Sequence, residues 1–228
     1  KKKMKPSLVV SNWLVTQIHN IEVRIYDLSE QKQDKSILNS FYCSYKNFEK
    51  EEVINKSYYL KLIQHFGFNS QCQTILYSQH EEECYLPLFV LNFYGFEKVS
   101  VLQFGFGKWL ECGFQTQPAY QKATPQSNPL YTFTGDDYYL TESKLGSQLK
   151  LMDLKPGEMQ DFLADEGGIE PKQFFPGLKH YYEPLLIRAV LRENGAALDE
   201  KVLVFRGKYK YYLYFLCQLA EIKCGIRQ

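Results

Sequence analysis

Apolar and polar positions alternate early in the chain. Ile21, Val23 and Ile25 alternate with Glu22, Arg24 and Tyr26, the pattern of a half-buried strand. Residues 8–18 read as its partner, turning at His19-Asn20, and residues 37–45 as a third, aromatic-rich strand. A helix is expected next. Asn47 suits an N-cap, Glu49, Glu51 and Glu52 crowd a first turn, Ile54, Tyr58, Leu62 and Phe66 recur at four-residue steps, and Gly67 is a natural stop. Four β segments are expected at 72–78, 85–94, 99–106 and 109–115. Within them, Tyr85-Leu86-Pro87-Leu88-Phe89-Val90-Leu91 is apolar at every position, as in a strand covered on both faces, with Pro87 near its start.

Residues 116–137 change character. Pro118, Pro125 and Pro129 lie among Gln, Thr, Ser and Asn, which marks a long loop or a boundary. One more strand is expected at 149–154. Helices are expected afterwards at 158–164, stopping at Gly167-Gly168, and at 180–194, with Pro184 in the first turn. A short strand over 201–205 and a final helix over 208–224 complete the pattern. The expected fold class is α+β: an antiparallel-rich sheet over about 7–115 with one helix, then a helical C-terminal part. The expected domains are 1–117, a Pro-rich loop or linker at 118–137, and 138–228. No internal repeat is visible.

Composition narrows this only a little. With 45% hydrophobic residues in 228, the chain can bury a real core, which excludes wholesale disorder. The formal net charge is +1, so an attraction to nucleic acid or membrane needs a local patch. Aromatics reach 16%, mostly Tyr and Phe, and Tyr favours positions with one wet end, such as sheet faces and interfaces. The six cysteines (Cys43, Cys72, Cys84, Cys112, Cys217, Cys224) contain no CxxC and read as reduced thiols of a cytoplasmic protein. Cys217 and Cys224 lie seven apart, on one face if that segment is helical, and the plain reading is two small core residues. No apolar run is long enough to span a membrane.

Candidate chemistry is thin. Gly105-Phe106-Gly107-Lys108 lacks the spacing of a phosphate loop. His80-Glu81-Glu82-Glu83-Cys84 reads as a charged turn between strands, with a metal site as the sharper alternative. Asp136, Asp137, Asp153 and Lys155 have a spacing compatible with the PD-(D/E)xK nuclease pattern, in which carboxylates hold Mg²⁺ and the lysine steadies the attacking water. A second placement uses element order: residues 49–66 as helix, then strands carrying Pro87-Leu88-Phe89-Val90 and Gln103-Phe104-Gly105, a nuclease-like core without its metal ligands. Basic and aromatic residues interleave most densely at Arg206, Lys208, Tyr209 and Lys210, with Arg188 and Arg192 extending that face from the preceding helix. Such mixtures neutralise phosphates and stack on bases.

The expectation is therefore a non-catalytic binding or assembly module. It would work with protein subunits of a larger complex, contact DNA or RNA through that basic-aromatic patch, and need no cofactor, metal or membrane. The alternatives are a Mg²⁺-dependent nuclease using the Asp/Lys set and a purely structural subunit.

Overall fold

A computed structural model describes residues 7–53, 55–125, 139–140, 159–163, 184–193, 196, 198, 202–206, 210–220, 222 and 224–227. The chain forms two compact units, Lys1–Phe133 and Thr134–Gln228.

Unit 1 is built on a five-stranded sheet that is parallel throughout. Its strands are β1 (Ser7–Val9), β2 (Val23–Asp27), β4 (Ser40–Tyr42), β5 (Gln73–Tyr77) and β6 (Val99–Leu102), in the order β1-β6-β5-β2-β4. β3 (Ser36–Ile37) and β7 (Thr116–Gln117) form a small antiparallel pair beside it. Helices fill the crossovers: α1 (Ser11–Gln17), α2 (Lys56–His65), α3 (Tyr85–Phe93) and α4 (Gly105–Glu111). In β5 the run Ile75-Leu76-Tyr77 is apolar without alternation because both faces are covered. Ile25, Ile75 and Tyr77 pack with Leu14, Phe106 and Trp109 on one face. The intervening Tyr26 and Leu76 are also buried, and Tyr26 stacks on Phe68 at 4.1 Å.

Unit 2 holds a second parallel sheet, β8 (Tyr139–Leu140), β9 (Met159–Leu163), β10 (Val202–Arg206) and β11 (Cys224–Arg227), ordered β8-β11-β10-β9. Its described helices are α5 (Pro184–Glu193) and α6 (Lys210–Leu219). Apart from the outer β4, the strand order repeats that of unit 1: β8, β11, β10 and β9 lie side by side as β1, β6, β5 and β2 do, and a helix joins β10 to β11 as α3 joins β5 to β6. The chain thus contains a topological repeat that its sequence does not display.

The antiparallel-rich α+β expectation is wrong; the fold is α/β with a mostly parallel central sheet. Residues 85–94 and 109–115 were expected as strands, yet the first form α3 and the second hold the end of α4 and the turn after it. A short run apolar on every side suits a buried helix as well as a buried strand, and Pro87 falls in the first turn of α3, where its missing N–H costs little. Residues 8–18 are not a strand partner of β2 but β1 followed by α1, and Ile21 is 92% exposed, outside β2. The helix expected from Asn47 begins at Lys56, with Asn55 as its N-cap accepting from Tyr58 N. In unit 2 the expected helix over 158–164 is β9, and the expected helix over 208–224 ends at Leu219 and gives way to β11. The expected strand over 149–154 lies outside the described residues.

One turn in unit 1 shows how tightly the sheet edge is closed. Gly105 has φ +61, and a Cβ there would meet the Ser78 carbonyl oxygen at 2.6 Å. Phe104, just before it, is also left-handed at φ 66, where only glycine is comfortable. Gly105→Ala should therefore lower Tm by several degrees, since the left-handed conformation alone costs about 1–2 kcal/mol. Gly107, two residues on, has nothing within 4 Å of its notional Cβ. Gly107→Ala should raise Tm instead, by the helix propensity of about 1 kcal/mol. Thermal melts of the two variants check both signs.

Candidate functional site

In an open parallel sheet, ligands sit at the carboxyl ends of the strands where the strand order reverses. In unit 1 the chain leaves β2 for the outer β4 and then returns past it to β5. The crevice so defined lies between the ends of β2 and β5, flanked by the end of β6. It is lined by Asp27 and Ser29 after β2, by Ser78 and Gln79 after β5, and by the Phe104-Gly105 turn after β6.

The chain's own polar groups occupy this place. Ser78 is 0% exposed. Its hydroxyl donates to Glu83 Oε2 and lies 3.4 Å from the Ser29 hydroxyl, while its carbonyl accepts from Phe106 N at 2.9 Å. Glu83 and the buried Glu81 belong to a 3-10 turn, Glu81–Cys84, that leads into α3. Glu81 accepts from the Tyr85 hydroxyl at 2.8 Å and from Phe104 N at 3.0 Å, so one carboxylate pins the left-handed turn after β6. Asp27 is fully buried. Its Oδ1 accepts from Ser29 N and its Oδ2 from the Tyr120 hydroxyl at 2.7 Å. Tyr120 also accepts from Gln33 N at 3.1 Å, and its ring packs against Tyr42. Burial first, and the Asp27 charge after it, push the Tyr120 phenol well above its ordinary range, so it stays a donor.

Thiol chemistry is disfavoured here. Cys84, the cysteine nearest this crevice in sequence, is fully buried at the end of the Glu81 turn. Burial, then the charges of Glu81, Glu83 and Asp27, hold its thiol well above the usual range and against the nucleophilic thiolate. Cys43 is likewise buried and pushed up by burial. Cys112 is exposed and caps the carboxyl end of α4, away from the Asp27–Ser78 crevice in sequence. All six cysteines are free thiols.

The residues singled out by sequence are distributed as follows. Asp136, Asp137, Asp153 and Lys155 lie outside the described residues, as do Lys208 and Tyr209. Arg206 ends β10, at the carboxyl edge of the second sheet, and Lys210 opens α6. Burial lowers the Lys210 ammonium, which sits 5.3 Å from the Tyr211 ring centroid. Arg188 lies on α5 and donates from Nε and Nη2 to the Ala220 carbonyl at 3.2 and 2.9 Å, tying that helix to the end of α6. Arg192 is exposed in the last turn of α5. No group of His, Cys, Asp or Glu among the described residues is arranged to hold a metal. Sequence reasoning missed Ser78 and Asp27, and read Glu81 only as part of a charged turn or a metal site, not as the carboxylate that holds Phe104 N. The signal available for Glu81 was three glutamates just before an apolar run, which is helix-start chemistry once residues 85–94 are read as a helix.

The Glu83 carboxyl has its affinity for protons raised, by burial first, against the Ser78 hydrogen bond. A raised carboxyl favours folding while it is protonated, and that contribution is lost as pH climbs from the ordinary carboxyl value through the raised one. Glu83→Gln keeps an acceptor for Ser78 and cannot ionise. It should therefore raise Tm at pH 7 and change it less at pH 4, in paired melts across that range. Tyr120→Phe should cost about 1–3 kcal/mol, because it strips the donor from a buried carboxylate; chemical denaturation reads that directly.

No protein-family model and no curated protein matches the chain. Solved structures do. The chain is similar to SseA from Escherichia coli, described through the "rhodanese" fold and catalytic mechanism of 3-mercaptopyruvate sulfotransferases, with TM-score 0.77, 13% identity, and 97% of each chain covered. Tum1 from Saccharomyces cerevisiae matches with TM-score 0.71 and 13% identity over 97% of this chain and 92% of its own. EanB bearing a cysteine persulfide, solved with ergothioneine, matches with TM-score 0.73 and 12% identity over 96% of this chain and 66% of its own. The expected assembly module contacting nucleic acid and its nuclease alternative are overturned by this. The nuclease-like element order also fails physically, since Pro87-Leu88-Phe89-Val90 lies in α3 and not in a strand. The chain has the rhodanese fold, an α/β architecture that it shares with a 3-mercaptopyruvate sulfotransferase.

Proposed function

We propose that this protein is a sulfur-transfer enzyme whose donor is a small anion held at the carboxyl edge of unit 2. The observation carrying the reading is the likeness to a 3-mercaptopyruvate sulfotransferase over 97% of both chains, so both units have counterparts there. Unit 1 is a poor place for the transfer. Its crevice is filled by Ser78, Asp27, Glu81 and Glu83, and acidic groups repel an anionic donor. In unit 2 the third strand runs into Arg206-Gly207-Lys208-Tyr209-Lys210, three cations in five residues with no acid among them. That charge suits 3-mercaptopyruvate or thiosulfate.

No cysteine stands at the carboxyl end of β10. Cys224 opens β11 and so lies at the amino edge of the same parallel sheet, and Cys217 lies in the second half of α6. The proposed transfer is therefore direct. An acceptor thiol attacks the donor sulfur, the C–S bond breaks, and the carbon fragment takes the proton: RSH + HSCH₂COCOO⁻ → RSSH + CH₃COCOO⁻. The cations hold the donor carboxylate and its carbonyl. A direct transfer gives sequential kinetics; a protein persulfide gives ping-pong kinetics.

Initial rates with 3-mercaptopyruvate or thiosulfate against a small thiol test this. Intersecting reciprocal plots are expected, with no sulfur retained on the protein by mass spectrometry. Lys208→Ala with Lys210→Ala should raise KM for the donor about tenfold, the value of one charge-assisted contact. No pyruvate, sulfite or persulfide from either donor overturns the reading. Parallel plots with a persulfide on the chain overturn its direct step.

A further inference from the structure

The two thiols of unit 2, Cys217 and Cys224, are brought together where α6 gives way to β11. Cys224 Sγ donates to the Tyr214 carbonyl at 3.9 Å and accepts from Gln218 Nε2 at 3.6 Å. Tyr214, Cys217 and Gln218 stand at i, i+3 and i+4 on α6, so they share one face of that helix. The Cys224 sulfur thus rests on the helix face that carries Cys217. The turn between the two elements is pinned in the same direction: Ala220 N donates to the Leu216 carbonyl at 3.0 Å and Ile222 N to the Cys217 carbonyl at 2.8 Å. Arg188 ties α5 to the same turn through Ala220 O. Cys217 is 0% exposed and Cys224 is 5% exposed. Burial, and then the hydrogen bond and charge of Cys224, push the Cys217 thiol up, while Arg188 opposes them.

We propose that Cys217 and Cys224 are a redox-active dithiol that closes into an intramolecular disulfide by exchange with a small organic disulfide. Of the two, Cys224 is the more exposed and sits at the end of an element, so it takes the first step: Cys224–SH + RSSR → Cys224–S–SR + RSH. Cys217 then attacks the mixed disulfide, giving Cys217–S–S–Cys224 + RSH. The dithiol loses two electrons and two protons, and the organic disulfide gains both. Proximity makes the second step fast, because the helix and the pinned turn hold the attacking sulfur beside the bond it breaks. Burial slows the first step, since a reagent must reach Cys224 and the thiolate is the nucleophile. Slow entry with rapid closure is how this pair differs from the exposed Cys112, which reagent reaches directly.

The site lies at the amino edge of the second sheet, where α6 ends and β11 begins. It is independent of the proposed sulfur transfer at the carboxyl edge, and its test uses no sulfur donor. The full chain is equilibrated with oxidised and reduced glutathione at a series of ratios, quenched in acid, alkylated and read by peptide mass. Cys217 and Cys224 should lose alkylation together, over one common range of ratios, as an internal disulfide without a glutathione adduct. Cys112 should carry the adduct and serves as the control for exposure to reagent. In Cys217→Ser, shown folded by circular dichroism, Cys224 should instead retain glutathione. The proposal is overturned if both cysteines remain alkylatable at ratios that fully modify Cys112, or if each takes glutathione separately in the unsubstituted chain. Should Cys217→Ser fail to fold, the internal disulfide in the unsubstituted chain alone decides.

Discussion

All the strands of the two larger sheets pair in parallel, and a parallel pair cannot be closed by a hairpin. Each connection must cross back over a face of the sheet, so helices cover both faces and the strands lose their alternation. In unit 1, α1 and α4 supply Leu14, Phe106 and Trp109 to one face. On the other face Tyr26 and Phe68 stack, and Phe48, Tyr59 and Tyr94 continue the contact outward. The aromatic excess is absorbed there: Tyr59 and Tyr94 are buried, yet their hydroxyls reach the carbonyls of Phe48 and Val53 at 2.7 Å. A tyrosine can enter such a core only where its tip finds a backbone acceptor.

The same constraint places every loop after a strand at one edge, where polar groups must converge. Unit 1 satisfies them internally. Glu81 holds the turn after β6, Glu83 holds Ser78, and Tyr120 reaches back to Asp27. The left-handed Phe104 is the cost of that closure, since a bulky residue at positive φ persists only where its surroundings over-determine it. Here a buried carboxylate on its N–H and the close approach of Gly105 to the Ser78 carbonyl do so.

Part of this was legible in the sequence. β2, β5 and β10 stand close to where apolar β-rich runs put them, Pro184 opens α5 as expected, and Gly67 follows α2 with the positive φ of a helix stop. The architecture was not legible, because the decisive run, 85–91, is apolar at every position and carries no period that separates helix from strand. As a strand it leads to an antiparallel sheet; as a helix it leads to a parallel one. The duplication was hidden for a related reason. Strand order is a property of pairing, and pairing leaves no mark on a chain whose strands are two to five residues long. The crevice was hidden because its residues, Asp27 at the end of β2 and Ser78 and Glu81 in the segment after β5, lie far apart in the chain and resemble ordinary turn residues one at a time.

Two units of one topology need not keep one chemistry. The edge in each is built by the same rule, and what differs is the sequence delivered to it. β5 runs into Ser78 and a glutamate turn that neutralise their own donors, which leaves a sealed, acidic end. β10 runs into Arg206, Lys208 and Lys210, which leaves cations with no acid in the run to satisfy them. Sealing one end fills the crevice and keeps the sheet, at the local cost of the left-handed Phe104. The paired thiols of unit 2 stand at the opposite edge of their sheet, at the junction of α6 with β11. A disulfide there would join the helix that starts at the cationic end to the strand beside β10, so oxidation would stiffen the elements carrying that end without touching it.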